Sequence, residues 1–215
     1  TDGIYWTAEV ELEVPQEGLT IHYSYQIEQN GIVIRKEWNN FPRCLFLSGT
    51  PRKKYRINDC WKNIPEQLYL YSSAFTEALL AHPEKENIPQ SYKKGLVIKA
   101  YAPRINKDYC LAICGNQKSL GHWDPEKAVL MSDTNFPEWQ IELDASKLKY
   151  PLEYKFILYN KQEKKADCWE KNPNRYLADP ELKTNETLVI SDRYVYFDIP
   201  AWKGAGIAIP VFSLK

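Results

Sequence analysis

The chain has 215 residues, of which 44% are hydrophobic and 26% are charged, and its formal net charge is zero. This composition predicts a packed core, and the length allows two domains of about 100 residues each. The zero net charge argues against nucleic acid or an anionic membrane as the main partner, and no run approaches the roughly 18 apolar residues of a membrane span.

The first half of the chain has the pattern of successive strands. Residues 6–14 (WTAEVELEV) alternate apolar and polar side chains, and two further strand-like runs, residues 21–27 and 32–38, flank Asn30-Gly31. An Asn-Gly pair between two such runs predicts a hairpin, because both residues tolerate positive φ. The best helical pattern is the short segment 72–80, and the polar, proline-containing stretch after it has the composition of a linker.

A second β pattern begins after this stretch. Its strand-like segments are short and separated by turn residues: 96–102, 109–114, 138–143, 153–159, 187–190 and 194–197. About eight short strands in roughly 105 residues predict a β-sandwich. The seven Trp and fifteen Tyr of the chain fit both β-sheets and flat ligand platforms.

The two halves of the sequence repeat one spacing of aromatic residues. A Trp precedes a Tyr by fifteen to seventeen residues, and a second Trp follows that Tyr by fifteen, as in Trp6, Tyr23 and Trp38, and again in Trp139, Tyr154 and Trp169. An arginine follows in both halves, Arg43 and Arg175. The repeat predicts two modules of one fold.

The five cysteines form no regular disulfide framework. On a strand, Cys110 and Cys114 share a face about 13 Å apart, which is too far for a disulfide. We interpret them as small buried side chains of a protein in a reducing compartment, with a cytoplasmic location expected. A zinc site built with His122 is the alternative, but we predict neither a metal nor a cofactor.

The second half closely resembles a starch-binding module of carbohydrate-binding family 20. The resemblance covers roughly residues 96–197 and is carried by CGNQKSLGHWDPEKAVL from Cys114, FPEW at 136–139, EYKF at 153–156 and WEKNPNR at 169–175. It implies an immunoglobulin-like antiparallel β-sandwich that binds α-1,4-glucan, such as starch, glycogen or maltodextrin.

The resemblance also implies which residues bind the sugar. The platform of the family corresponds to Trp123 and Trp169, its hydroxyl-binding groups correspond to Lys155 and Asn174, and Glu170 belongs to the same site. A glucose ring has an apolar face and a polar rim, so that an indole can bury the face while polar side chains satisfy the rim. Two indoles set at an angle suit a curved α-1,4-glucan better than flat cellulose.

The first half departs from this pattern. Ser24 stands where the sugar-binding lysine aligns, Pro42 stands where Asn174 aligns, and the segment that carries Trp123 has no counterpart, so Trp38 is expected to be at most a weak platform. Trp6 and its counterpart Trp139 are expected in the two cores. We also expect this module to lack its opening strands in this chain.

The C-terminal string AWKGAGIAIPVFSL (201–214) resembles the start of the catalytic domain of an amylomaltase (4-α-glucanotransferase, disproportionating enzyme) of glycoside hydrolase family 77. Tandem starch-binding modules precede that domain in some members of the family. The resemblance implies that the parent protein is a glucanotransferase. No pattern in these 215 residues places two carboxylates in a cleft, so we expect this chain to catalyse no reaction itself.

We therefore predict an all-β chain of two tandem sandwiches, with a first module over residues 1–81, a linker over 82–94, a second module over 95–198 and the start of a catalytic domain over 199–215. The predicted function is binding of α-glucan to target the glucanotransferase. One alternative is a protein-interaction role, in which the first module packs on its neighbour or on the catalytic domain or makes a dimer. Another is a glycogen-targeting scaffold without an enzyme.

Overall fold

The computed structural model describes residues 6–65, 92–105 and 107–195, together with residues 68, 72 and 197. The described part of the first half contains β1 (Leu19–Tyr23), β2 (Gln26–Gln29), β3 (Ile32–Lys36), β4 (Arg43–Leu47) and β5 (Lys54–Asn58). The second half contains β6 (Lys94–Tyr101), β7 (Tyr109–Gly115), β8 (Val129–Leu130), β9 (Ser132–Asn135), β10 (Glu138–Asp144), β11 (Leu152–Asn160), β12 (Lys165–Trp169), β13 (Arg175–Leu177) and β14 (Glu186–Tyr194). The all-β prediction is confirmed.

Two sheets make up the sandwich of the second half. The middle sheet has the order β5-β14-β6-β10-β9, and the outer sheet has the order β12-β11-β7-β8, with β13 paired to β11. The main core lies between them and is filled from both sheets, for example by Leu96, Trp139, Leu111 and Phe156, which are all fully buried. The predicted core position of Trp139 is confirmed, and its indole N–H donates to the carbonyl of Ala102 at 3.1 Å.

The first half adds a third layer on the far side of the middle sheet. There β1 and β4 pair antiparallel. Leu45 and Leu47 of β4 form a second core with Val97 of β6 and Val189 of β14. In addition, β5 pairs in parallel with β14, from Glu186↔Lys54 to Ile190↔Asn58. The described strands of the first half therefore build their core against the second half.

The Asn30-Gly31 hairpin forms as predicted. Gln29 of β2 faces Ile32 of β3, and the two turn residues have φ of 53° and 77°. The run over residues 21–27 is not one strand, however, because the chain leaves β1 after Tyr23 and enters β2 at Gln26. The first part pairs with β4 and the second with β3, so that one apolar run serves two strand pairs.

Two predictions for the first half are wrong. Residues 6–14 form no strand, and Trp6 is 77% exposed instead of belonging to a core. The second half shows the reason, because Trp139 lies on β10, which is paired on one side with β6 and on the other with β9. Among the described residues, nothing equivalent flanks residues 6–14, and an alternating pattern alone does not supply a partner strand.

Other predicted elements have mixed outcomes. The strand expected at 187–190 lies within β14, which continues to Tyr194, whereas Val195 and Phe197 of the strand expected at 194–197 are not in a strand. The helix expected at 72–80, most of the linker and the segment 199–215 lie outside the described residues. Among the helices of the described part, none has the length and apolar character that crossing a membrane requires.

A buried ionic network joins the first half to the middle sheet. Arg43 donates to the Glu37 carboxylate at 2.6 Å and lies 3.3 Å from Asp59, and all three side chains are almost fully buried. Asp59 also accepts hydrogen bonds from the hydroxyls of Tyr23 at 2.9 Å and Ser191 at 2.7 Å. Because Ser191 is on β14, this network spans both halves.

A second buried ion pair lies on the middle sheet itself. Lys99 of β6 contacts Glu138 of β10 at 3.1 Å, and its ammonium also donates to the carbonyl of Cys44 on β4. Both charges face the first half, which excludes water from them. Without β4, this face of the sheet would present Lys99 to solvent, so the pair is part of the contact between the halves.

The same interface predicts a pH dependence of stability. Burial raises the pKa of Glu142 from 4.5 to about 7, although the Tyr92 N–H and the Lys53 ammonium partly oppose this. The native state then holds this proton more tightly than the unfolded state, so its stabilising contribution is present below pH 4.5 and is lost as pH rises through 7. We expect the unfolding free energy of Glu142→Gln, measured in urea, to fall less than that of the unsubstituted chain between pH 5 and 8. Parallel pH profiles would contradict the assignment.

Candidate functional site

The exposed face of the outer sheet is set by the alternation of β11. Tyr154, Phe156 and Leu158 point into the main core, so the residues between them point outward. Outward-facing Ile157 is nevertheless buried, because it packs with Ala112 and Cys114 of β7 and is covered by Trp169. This small apolar cluster is the base on which the candidate site stands.

Two indoles lie together on this face. Trp169, at the end of β12, pairs with Ile157, and Trp123 approaches it from the loop after β7. The ring centroids are 6.1 Å apart and the ring planes are inclined by 46°. Both side chains are half-buried, so they are held by the protein while retaining exposed surface. We call this pair the indole pair.

The backbone around Trp123 is a tight left-handed turn. Gly121, His122 and Trp123 have φ of 76°, 54° and 61°, which is uncommon for residues with a side chain. A Cβ on Gly121 would lie 2.7 Å from the carbonyl oxygen of Lys127, so the loop requires glycine here. Leu120, which is fully buried, anchors the turn to the main core.

The residue after Trp123 closes the loop on the other side. The Asp124 carboxylate accepts the Glu126 N–H at 3.1 Å and pairs with the Lys127 ammonium at 2.5 Å. These contacts, led by Lys127, hold the pKa of Asp124 below its ordinary value. The carboxylate is therefore engaged in shaping the turn that presents Trp123.

Polar side chains lie beside the indole pair on the same face. Lys155 is two residues from Ile157 on β11, which puts it diagonal to Trp169, at about 7–8 Å between backbone positions. Arg175 of β13 faces Tyr154, and the same register continued by one residue brings Asn174 opposite Lys155. Lys155 is half-buried and Asn174 is exposed. The two indoles are thus in contact, and the strand register puts Lys155 and Asn174 on the same face.

Glu170 has a different environment from the one expected of a sugar-binding residue. Its carboxylate is completely inaccessible and accepts hydrogen bonds from the Phe156 N–H at 2.7 Å, from Asn172 at 3.1 Å and from Arg175. The guanidinium of Arg175 in turn lies 4.5 Å over the Phe156 ring. This buried Glu–Arg pair fixes the loop between β12 and β13. Trp169 and Asn174 directly precede Glu170 and Arg175, so the pair also fixes the backbone that presents them.

The first half contains the same arrangement. Glu37 accepts the Tyr25 N–H at 3.1 Å and pairs with Arg43, whose guanidinium lies 5.4 Å over the Tyr25 ring. This local arrangement makes Glu37 equivalent to Glu170 and supports the internal repeat predicted from sequence.

This equivalence changes the interpretation of Trp38. It follows Glu37, whereas Trp169 precedes Glu170, so the fifteen-residue spacing aligned the two indoles two residues out of register with the Glu–Arg pairs. Trp38 is half-buried, and the Lys62 ammonium lies 5.7 Å over its ring. The same ammonium lies 5.1 Å over the ring of Tyr101 on β6, so Trp38 lies near the contact between the halves.

The cysteine thiols serve as packing groups. Cys110 is in the main core, Cys114 is in the cluster under Trp169, and their Sγ atoms lie near the carbonyls of Leu111 and Asp124. Burial raises the pKa of Cys110 to about 11. Within the described ranges no three His, Cys, Asp or Glu side chains group as metal ligands would, and His122 is an exposed loop residue.

Sequence reasoning missed the strands that assemble the site. β12 and β13 are short and largely polar (KADCW and RYL), and both pair with the same edge of β11. A glutamate followed by an arginine six residues later in the first half (Glu37, Arg43) and five residues later in the second (Glu170, Arg175) could have identified these buried pairs. The resemblance instead implied that Glu170 belongs to the binding surface, whereas its carboxylate is buried against Arg175.

Comparison with known proteins matches the second half of the chain to a described family. Residues 97–189 match the family model described as "Starch binding domain". The chain is also similar to 4-alpha-glucanotransferase DPE2 of Oryza sativa subsp. japonica, with 24% identity over 229 residues that cover 99% of this chain. The chain spans only 23% of the length of that relative.

Solved structures give weaker likenesses. The family 20 module of the maltotetraose-forming amylase of Pseudomonas saccharophila STB07 aligns at 19% identity and a TM-score of 0.37, over 46% of this chain and 99% of that module. A family 15 glucoamylase from Hypocrea jecorina aligns at 21% identity and a TM-score of 0.40, over 54% of this chain and 19% of that protein.

Proposed function

We propose, on the premise that residues 97–189 match the starch-binding-domain family, that this chain binds α-1,4-glucan without catalysing a reaction on it. The observation that carries the proposal is the indole pair, Trp123 and Trp169, whose rings lie 6.1 Å apart at 46° on one exposed face. Starch, glycogen and maltodextrin all present the same repeating α-1,4 surface.

The inclination of the rings supports a curved ligand. Two coplanar indoles would suit a flat, extended chain, whereas planes at 46° meet the faces of successive sugars in a coiled one. Burying about 100–150 Å² of apolar surface at ~25 cal/mol per Å² contributes roughly 3 kcal/mol before ordering costs. An affinity in the micromolar-to-millimolar range is expected from one such site.

The neighbouring polar groups have separate roles in this proposal. Lys155 and Asn174 bind sugar hydroxyls, since they lie beside the indole pair and their side chains are accessible. Glu170 is a positioning residue, because its carboxylate is wholly enclosed by Phe156, Asn172 and Arg175 and cannot reach a ligand.

The wider role is targeting of a parent enzyme. The similarity to a rice 4-alpha-glucanotransferase supports a parent chain with that activity. In this parent chain, the segment described here binds the polysaccharide, and a C-terminal amylomaltase-type domain of glycoside hydrolase family 77 acts on it. A cytoplasmic location belongs to the same proposal and is supported by Cys110 and Cys114, which serve as buried thiols. The division into modules over 1–81 and 95–198 with a linker over 82–94 is also retained as a proposal.

A packing role for the first half is the second candidate. It is favoured by the core that Leu45 and Leu47 make with Val97 and Val189, and by the pairing of β5 with β14. The first half covers the middle sheet, whereas the indole pair lies on the outer sheet, so this contact leaves the candidate site open. Glucan binding by one half and packing by the other are compatible.

Calorimetry with matched sugars tests the glucan proposal. We expect the chain to bind maltoheptaose and β-cyclodextrin, and not to bind cellohexaose, which has the same rings joined by β-1,4 bonds. Equal affinity for maltoheptaose and cellohexaose would show that the indole inclination does not select the linkage. Failure to bind any of the three sugars would overturn the proposed function.

A further inference from the structure

One large aromatic side chain near the site lies outside the indole pair. Tyr176, in the middle of β13, is 64% exposed. Its two neighbours point inward, since Arg175 binds buried Glu170 and Leu177 packs against the main core. The alternation of the strand therefore directs Tyr176 outward, to the face that carries Trp169.

The strand register gives the position of Tyr176 relative to the indole pair. Tyr176 pairs with Glu153 of β11, while Trp169 pairs with Ile157 of the same strand. The two β11 positions are four residues apart, which corresponds to about 13 Å along the strand. Lys155 is midway between them on the same face, with Asn174 opposite it. The outward groups thus form one line: indole pair, Lys155 with Asn174, then Tyr176 with Glu153.

We propose that Tyr176 is a third aromatic contact for the glucan and extends the site to longer chains. The proposal rests on the proposed function and adds a preference for length: linear α-1,4-glucans that reach beyond the indole pair would stack a further sugar on Tyr176. The phenol ring offers an apolar face to the sugar, and its hydroxyl tip can stay in water. Glu153, which is half-buried opposite the ring, supplies a carboxylate acceptor for hydroxyls of the same sugar.

The surrounding surface is consistent with a specific role for this ring. The inward side of β13 is already fixed by Arg175 and Leu177. Because Tyr176 is 64% exposed, its truncation is expected to change the stability little. This separates a loss of binding from a loss of fold.

The test compares a short with a long ligand in NMR titrations. We expect Tyr176→Ala to weaken maltoheptaose binding about five- to tenfold and to leave maltose binding unchanged, because maltose is held by the indole pair. Tyr176→Phe should retain most of the affinity. The control is Ile32→Ala, which truncates an exposed apolar side chain on the hairpin of the first half and should change neither affinity.

The outcomes distinguish this inference from the proposed function. Unchanged maltoheptaose binding in Tyr176→Ala, in a protein whose binding still requires Trp123 and Trp169, would overturn the third contact alone. An equal loss for maltose and maltoheptaose would also overturn it, since the substitution would then act through the indole pair. If the unsubstituted chain binds neither sugar, the two proposals fall together.

Discussion

Replacing Trp123 and Trp169 together by alanine is expected to weaken maltoheptaose binding about a hundredfold, to below the detection limit of calorimetry for a site of this strength. Each indole covers one sugar face, and the polar groups Lys155 and Asn174 beside the pair cannot replace that apolar contact. Each single substitution should cost about tenfold. The measurement is calorimetry of the single and double variants under identical conditions.

An exposed indole elsewhere in the chain provides the matched control. Trp6→Ala makes the same chemical change at a side chain that is 77% exposed, in the first half of the chain. Its affinity should equal that of the unsubstituted chain. The urea midpoints of all variants should be measured as well, since Trp169 also covers Ile157. A double variant that folds and still binds with the original affinity would remove the indole pair from the site.

Local features of the fold could be predicted because they depend on neighbouring residues. The Asn30-Gly31 turn is specified by two residues that tolerate positive φ, and β11 is specified by an alternation that runs through Tyr154, Phe156 and Leu158. Trp139 was assigned to the core on the same grounds. In each case the sequence signal lies within a few residues of the structure that it specifies.

Pairing between distant segments could not be predicted in this way. Nothing in KYRIN, the sequence of β5, indicates that it will lie parallel to β14, more than 120 residues later. The alternation of residues 6–14 is as regular as that of β10, but only β10 has strands on both sides. A periodic pattern defines which face of a strand is apolar, and the presence of partner strands decides whether a sheet forms.

The candidate site shows the same division. The prediction of Trp123 as a platform residue rests on its place in the motif LGHWDP, which is a feature of the local sequence alone. The enclosure of Glu170 depends on Arg175 and on the backbone of Phe156, which approach it only when β11, β12 and β13 assemble. A carboxylate beside a platform residue was therefore taken for part of the binding surface.

Removal of Arg43 is expected to have the largest effect on stability. Arg43→Met keeps most of the apolar stem but leaves the carboxylates of Glu37 and Asp59 buried without their cation, which typically costs about 3–5 kcal/mol. This is a large fraction of the roughly 5–15 kcal/mol that stabilises a typical domain. We expect the urea midpoint to fall accordingly, and hydrogen exchange of the β14 amides to accelerate together with that of β4, because Ser191 joins the same network.

A surface ion pair across the same contact serves as the control for this prediction. Arg56 of β5 lies 3.3 Å from Glu186 of β14, but its side chain is 44% exposed, so Arg56→Ala should cost less than about 1 kcal/mol. At urea concentrations where Arg43→Met remains folded, its affinity for maltoheptaose should be unchanged, because the first half covers the middle sheet and the indole pair lies on the outer one. If Arg43→Met costs no more than Arg56→Ala, the buried network does not hold the two halves together. If instead it weakens glucan binding in the folded protein, the two faces of the sandwich are coupled, and the first half contributes to the site as well as to the core.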